Sequence, residues 1–184
     1  MAPKTDLELI EEFKQGRVEG FNELVKRHRE KVYWIARRVV GTHADADDVV
    51  QDVFVRVFEA LKNFRGDSGF YTWLYRIATN VSLNALRSKR VKEFLRFDEL
   101  YEELLPGDYH TDANLHQQEY ETILEQAIAR LPVKQKMVFI MRYYEEMPYD
   151  EMSKVLKKSV GGLKANYFHA LKKIGEYVRK EMSS

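Results

Sequence analysis

The chain has 184 residues, 45% hydrophobic and 32% charged, the make-up of one ordinary folded domain or two small ones rather than of a disordered or fibrous protein. No apolar run reaches the roughly 20 residues that cross a bilayer. The acidic start MAPKTDLELIEEF lacks the basic and then apolar parts of a signal peptide, and the absence of cysteine excludes disulfides and thiolate chemistry. The net charge of +1 hides three blocks: 16 Lys and Arg against 13 Asp and Glu over residues 1–90, 3 against 10 over 91–130, and 11 against 6 over 131–184. Two basic ends thus flank an acidic middle, an uneven distribution that needs an explanation unless it is chance clustering of surface charge.

Almost everything before Lys92 reads as helix. Thr5 and Glu8 have capping-box spacing, and Gly16 can end the short helix they start. Phe21, Leu24, Val25, Val32, Ile35, Ala36 and Val39 recur at three- and four-residue steps up to Gly41. A third helix follows Thr42, with Val49, Val50, Val53, Phe54, Val57, Phe58 and Leu61 as its apolar stripe. On its other side Asp48, Gln51, Asp52, Val55 and Glu59 form a narrow, mostly acidic seam, either simply solvated or a docking strip for a basic helix. The fourth helix starts after Asp67–Ser68 and is expected to bury Phe70, Trp73, Leu74, Ile77, Val81 and Ala85. The stretch FRGDSGFYTWLYRIATN, residues 64–80, carries more aromatic rings than a small core needs, and Tyr71, Tyr75, Arg76 and Asn80 are predicted on the outside of that helix.

Residues 93–112 read as an acidic linker with a Pro-Gly turn, separating a unit at 1–92 from one at 113–184. In the second unit Leu115, Ile123, Leu124, Ala127, Ile128 and Leu131 mark one helix, and Pro132 opens the next, with Val133, Met137, Val138, Ile140 and Met141 on its apolar face. A short helix in PYDEMSKVL, a break at Lys157–Lys158 and a long basic helix then have helix-turn-helix spacing. Leu163, Tyr167, Ala170 and Ile174 share the buried side of the long helix. Gly162, Asn166, His169 and Lys173 share a polar side that a recognition helix would turn to a major groove, with Ser159 as N-cap. A packing module whose basic face is only solvated has the same layout; the positive charge of residues 131–184 favours DNA. The fold class is therefore all-α, two small helical domains joined by an acidic linker. The histidines are scattered without ligand spacing and no phosphate-binding glycine loop follows a strand, so neither a metal nor a cofactor is expected. No convergent nucleophile or acid–base pair is visible, so neither catalysis nor a small-molecule substrate is expected.

Three stretches, DADDVVQDVFVRVFEAL, FRGDSGFYTWLYRIATNVSLNALR and LPVKQKMVFIMRYYEEMPYDEMSKVLKKSVGGLKANYFHALKKI, together resemble a bacterial RNA polymerase sigma factor. The type is the small two-domain, extracytoplasmic-function (ECF) class of the sigma-70 family, and the resemblance spans nearly the whole chain in order. It implies a four-helix sigma region 2 domain, a helix-turn-helix sigma region 4 domain, and a cytoplasmic protein that directs promoter-specific transcription initiation. Asp48, Gln51, Asp52 and Val55 match the segment that docks on the clamp helices of the polymerase's largest subunit; the flap is the family's other contact. Phe64, Arg65 and Ser68 match a loop receiving a base flipped from the minus-ten element. Tyr71, Tyr75, Arg76, Asn80, Asn84 and Arg87 lie on or beside the helix that handles that element. Ser159, Gly162, Lys164, Asn166, His169 and Lys173 fall on the minus-thirty-five reader. The acidic connector matches one that threads the polymerase interior, and an anti-sigma factor, able to hold the protein at the membrane, is implied as a further partner. Asn166 and His169 stand where the family commonly has arginine, which predicts an altered minus-thirty-five preference. On the residues alone two rivals stay open: a free-standing helix-turn-helix repressor or activator, and a helical enzyme or adaptor. The discriminating features are the acidic seam and the aromatic loop, both superfluous to a simple repressor.

Overall fold

The computed structural model describes residues 3–95 and 115–183, so the linker read at 93–112 lies almost wholly outside the described residues. All regular structure among the described residues is helical. The chain divides into two compact units, Met1–Glu99 and Leu100–Ser184.

The first unit contains α1 (Asp6–Lys14), α2 (Val18–Val40), α3 (His43–Leu61) and α4 (Phe70–Leu95). Thr5 caps α1 through the capping box its spacing predicts, with Glu8 reaching back to the Thr5 N–H at 2.6 Å. That pairing holds the Glu8 carboxyl below its ordinary pKa, the backbone bond being the larger cause. Gly41 closes α2 in the left-handed region at φ +92°, and Thr42 caps α3 by accepting from the Asp45 N–H at 3.1 Å. Leu9, Ile10 and Phe13 of α1 join Leu24, Val32, Ile35 and Val39 of α2, Val49, Val53, Val57 and Leu61 of α3, and Leu74, Ala78 and Val81 of α4 in one core. The α1–α2 contact depends on Gly20. A Cβ there would stand 2.4 Å from the Leu9 carbonyl oxygen, so only glycine lets the two backbones meet.

The second unit contains α5 (Leu115–Ala129), α6 (Val133–Phe139), α7 (Tyr149–Leu156) and α8 (Val160–Met182). Its core gathers Ala127, Ile128, Leu131, Phe139, Ala170 and Ile174, with Tyr144, Tyr167 and Tyr177 packed against them. The sequence predicts one regular helix opened by Pro132, with Ile140 and Met141 on its apolar face. Instead, α6 widens into a π-helical stretch at Ile140–Tyr144, a single wide turn that buries Ile140 and Met141 and leaves Tyr143 half outside. No helix among the described residues is long and apolar enough to cross a membrane.

Candidate nucleic-acid interface

On α3, Asp48, Gln51, Asp52, Val55 and Glu59 are all exposed, as the seam requires. Phe58, expected in the buried stripe, is instead 43% exposed, packed edge-on against Phe13 at 5.1 Å and Phe21 at 5.0 Å. Together with Val55 it gives the acidic seam an apolar flank, which charge patterning alone did not reveal. Behind the seam Lys89 donates to Asp45 at 2.7 Å, tying α4 to the start of α3. Burial acts to raise the Asp45 pKa, but hydrogen bonds from Lys89 and Thr42 outweigh it and hold the carboxyl below its ordinary value.

The loop from Lys62 to Gly69 is fixed at both ends by aromatic rings. Phe64 is 6% exposed, its ring 6.0 Å from Phe70 and 5.2 Å from Trp73, both near edge-on. Between these anchors Gly66 turns at φ +78°, leaving Arg65 exposed and Ser68 half-buried. Phe70 is core as expected, whereas Trp73 is only half-buried. Arg76, Asn80, Asn84 and Arg87, spaced four, four and three residues apart, are all exposed on one face of α4. Asn80 also lines a shallow groove with Arg56 and Glu59 of α3.

Tyr75 corrects the outward placement predicted for it: its side chain is fully buried. It lies on the line Tyr71, Tyr75, Ala78, Ser82, whose last three members are all buried, and only Tyr71 at the end of that line reaches the surface, half-covered. The phenol is amphipathic, so a tyrosine at helical spacing is as good a core residue as a contact. Tyr71 meets Tyr75 at 5.9 Å and the His28 ring at 6.4 Å, with Lys31 Nζ 5.2 Å over its face. His28 in turn shares a hydrogen bond with Asp6 at 2.9 Å and packs on Phe70 at 5.3 Å. The entry of α4 is thus braced from α1 through α2.

In the second unit α7 ends on Lys157 at φ +52°, and Ser153 donates to the Lys158 carbonyl at 2.6 Å across the turn. Ser159 caps α8 by accepting from the Gly162 N–H at 3.2 Å, and a Cβ at Gly162 would stand 3.1 Å from the same hydroxyl oxygen. Gly162 therefore serves the cap. Leu163, Ala170 and Ile174 are buried, while Lys164, His169 and Lys173 are exposed. Asn166 is half-buried and its Nδ2 donates to the Gly162 carbonyl at 2.7 Å, so its amide is partly committed to its own helix. The sequence reading missed Arg142 and Tyr149. Two cations approach the Tyr149 ring, Arg142 at 5.4 Å and Lys164 at 5.7 Å from its centre. Burial, then Tyr149, raises the Tyr167 pKa against the opposing effect of Arg142, so this phenol stays neutral.

The comparisons with known proteins agree with this layout. Residues 24–91 match the family described as sigma-70 region 2, and residues 121–174 match sigma-70 region 4. The RNA polymerase sigma-H factor of Pseudomonas aeruginosa is 31% identical over 180 residues, 92% of each chain. The ECF RNA polymerase sigma-E factor of Escherichia coli is 32% identical over 187 residues, 95% of each chain. In fold, the chain is similar to the sigma factor RpoE of Bartonella quintana, solved in complex with the anti-sigma factor NepR, at a TM-score of 0.73 and 19% identity, over 88% of this chain and 98% of that one. It is also similar to CnrH in complex with the cytosolic domain of CnrY, at a TM-score of 0.69 and 24% identity, over 95% and 97%. The chain belongs to the ECF sigma factors of the sigma-70 family, the RNA polymerase subunits that serve promoter recognition and transcription initiation.

Proposed function

We propose that the first unit docks on core RNA polymerase through the α3 seam and opens the minus-ten element with the loop after Phe64 and the outer face of α4. Asp48, Gln51, Asp52 and Val55, with Phe58 added, meet the clamp helices of the largest subunit; acid on one side and exposed apolar surface on the other suit a basic amphipathic helix. Arg65 and Ser68 receive the flipped base, and Arg76, Asn80, Asn84 and Arg87 follow the strand. Tyr71 stays in this set and Tyr75 leaves it. The second unit reads the minus-thirty-five element with Lys164, His169 and Lys173 of α8, joined by Arg142 and Tyr149, while Asn166 contributes only by surrendering its bond to Gly162. Domain limits of 1–92 and 113–184, with an acidic connector passing through the polymerase, follow from the same reading, as do a contact with the flap and a cytoplasmic location.

The observation that carries the proposal is the pairing, in one small unit, of an exposed acidic seam on α3 with an exposed Arg-Asn-Asn-Arg face on α4. A free-standing repressor needs neither. The chemistry of RNA synthesis belongs to the polymerase, and this chain supplies no active site. An anti-sigma factor is a further partner of the same surfaces, a reading supported by the complex in which the Bartonella sigma factor was solved. Core polymerase mixed with this chain and a promoter library is the test: defined start points only in its presence uphold the proposal, and unchanged transcription overturns it.

A further inference from the structure

Recognition helices read DNA with their N-terminal residues, and that part of α8 is short of fixed positive charge. Between Ser159 and Leu171, Lys164 is the single lysine or arginine. Asn166 carries no charge and its amide is engaged with the Gly162 carbonyl, while His169 lacks the permanent charge of an arginine. Lysine is a point charge on a flexible four-carbon stem, so holding it in one place costs side-chain freedom. The fold supplies a brace. The exposed Lys164 has its Nζ 5.7 Å from the centre of the Tyr149 ring, at the first position of α7. That ring meets Tyr167 near edge-on at 6.5 Å, and Tyr167 stacks on the buried Phe139 at 6.1 Å, so Tyr149 is anchored to the core. The Arg142 guanidinium, 5.4 Å from the Tyr149 ring centre, donates through Nη1 to the carbonyls of Glu146 at 3.3 Å and Met147 at 3.2 Å. Those bonds close the turn into α7, where Glu146 holds a left-handed φ of +50° and Met147 is buried.

We propose that Tyr149 is a positioning residue for minus-thirty-five recognition: its ring holds Lys164 in place before DNA arrives and makes no promoter contact of its own. Arg142 serves the same end one step back, by fixing the turn that seats the ring. This role rests on the proposed reading of the minus-thirty-five element by α8. An ammonium resting on a ring keeps N–H donors on the side away from it, so Lys164 can meet a phosphate or a base edge without leaving Tyr149. Binding then spends less side-chain freedom, because order that DNA would otherwise impose is already present. Two features separate this role from direct contact. Arg142 is committed to two carbonyls of its own turn, and a brace made by the ring face has no need of the Tyr149 hydroxyl.

The test uses holoenzyme assembled from the full chain and core polymerase, binding a promoter fragment recovered from the library over a salt series. Tyr149→Leu should weaken binding by about two- to tenfold at every salt concentration, the range that the ordering of one long side chain is worth. Its log–log salt slope should match the parent, because the change removes order and not charge. Tyr149→Phe keeps the ring and should bind like the parent. In a chain that already carries Lys164→Gln, Tyr149→Leu should cost less than about twofold more, since the side chain it positions is gone. A Phe variant as weak as the Leu variant overturns the proposal, for it would put the hydroxyl on DNA. So does a Tyr149→Leu loss that persists in full beside Lys164→Gln, the result that a general folding defect would also give. If Lys164→Gln weakens binding and Tyr149→Leu does not, only this inference falls; if Lys164→Gln itself changes nothing, the role given to α8 falls with it.

Discussion

Truncating Tyr75 separates what the core does from what the exposed face of α4 does under the role proposed for it. The side chain is fully buried between α4 and the rest of the first unit, among Leu74, Ala78 and Val81 on its own helix. Removing a buried aromatic side chain costs about 3–5 kcal/mol, because the vacated space refills only partly. In a unit of this size each kcal/mol moves the melting temperature by about 4–8 °C. Tyr75→Ala should therefore lower the Tm of the first unit by at least about 12 °C, followed by circular dichroism on the full chain. Asn80→Ala, at an exposed position, stays within about 0.5 kcal/mol of the parent, a shift of a few degrees at most. Promoter opening, read with a fluorescent base in the minus-ten segment, should behave in the opposite way. At temperatures where both variants are folded, Asn80→Ala opens poorly and Tyr75→Ala opens normally. A Tyr75→Ala protein that melts within a few degrees of the parent yet fails to open the promoter would refute the reasoning, since it would place Tyr75 at the DNA.

Gly20→Ala should destabilise the chain by about 1–3 kcal/mol, because its Cβ meets backbone that cannot swing aside, the Leu9 carbonyl oxygen at 2.4 Å; chemical denaturation measures it. Asn166→Ala should alter minus-thirty-five discrimination by less than the ~1–3 kcal/mol of a bidentate reader, since its Nδ2 is engaged with Gly162, while His169→Arg should steepen the salt dependence of promoter binding by about 0.9 in slope; filter binding over a salt series reads both. Asp45 has a folded pKa below its ordinary value, so its contribution to stability is fully present above that ordinary value and is lost as pH falls through the folded one. The unfolding curves of wild type and Asp45→Asn should differ at neutral pH and converge in acid, and a constant separation into the strongly acid range would refute the Lys89 tie.

Much of the fold was legible because its boundaries are written in local chemistry. Thr5 with Glu8, Thr42, Gly41 and Ser159 each act where the sequence places them. The misses fall where the decisive partner is remote. Gly20 sits inside a helix, where glycine is locally unfavourable, and its reason is the Leu9 carbonyl of a different helix. Phe58 has stripe periodicity, yet it stands at the rim where three helices meet and stays partly open. Nothing in IMRYY marks a wide turn; the π stretch is imposed by seating Ile140 and Met141 in the core. Asn166 has the spacing of a polar-face residue of α8, but no spacing rule says whether an amide will serve a base or the carbonyl one turn back.

The burial of Phe64 decides how the loop beside it can work. At 6% exposure, its ring would have to leave Phe70 and Trp73 before a base could stack on it. Exposing a buried phenylalanine costs about 1.5–3 kcal/mol, and one base on an aromatic face returns about 1–3 kcal/mol, so the exchange yields no net driving force. The same ring left in place has a different use. With Phe64 and Phe70 clamped together, the segment Arg65–Gly69 is held at both ends, and its turn at Gly66 is fixed before any DNA arrives. A base received there meets backbone groups, the Ser68 hydroxyl and the Arg65 guanidinium already in position, and the ordering of the loop has been met by the fold rather than by binding. Under the proposed role, the aromatic cluster that makes this stretch conspicuous is therefore the anvil beneath the loop, and strand capture falls to the polar atoms it holds up.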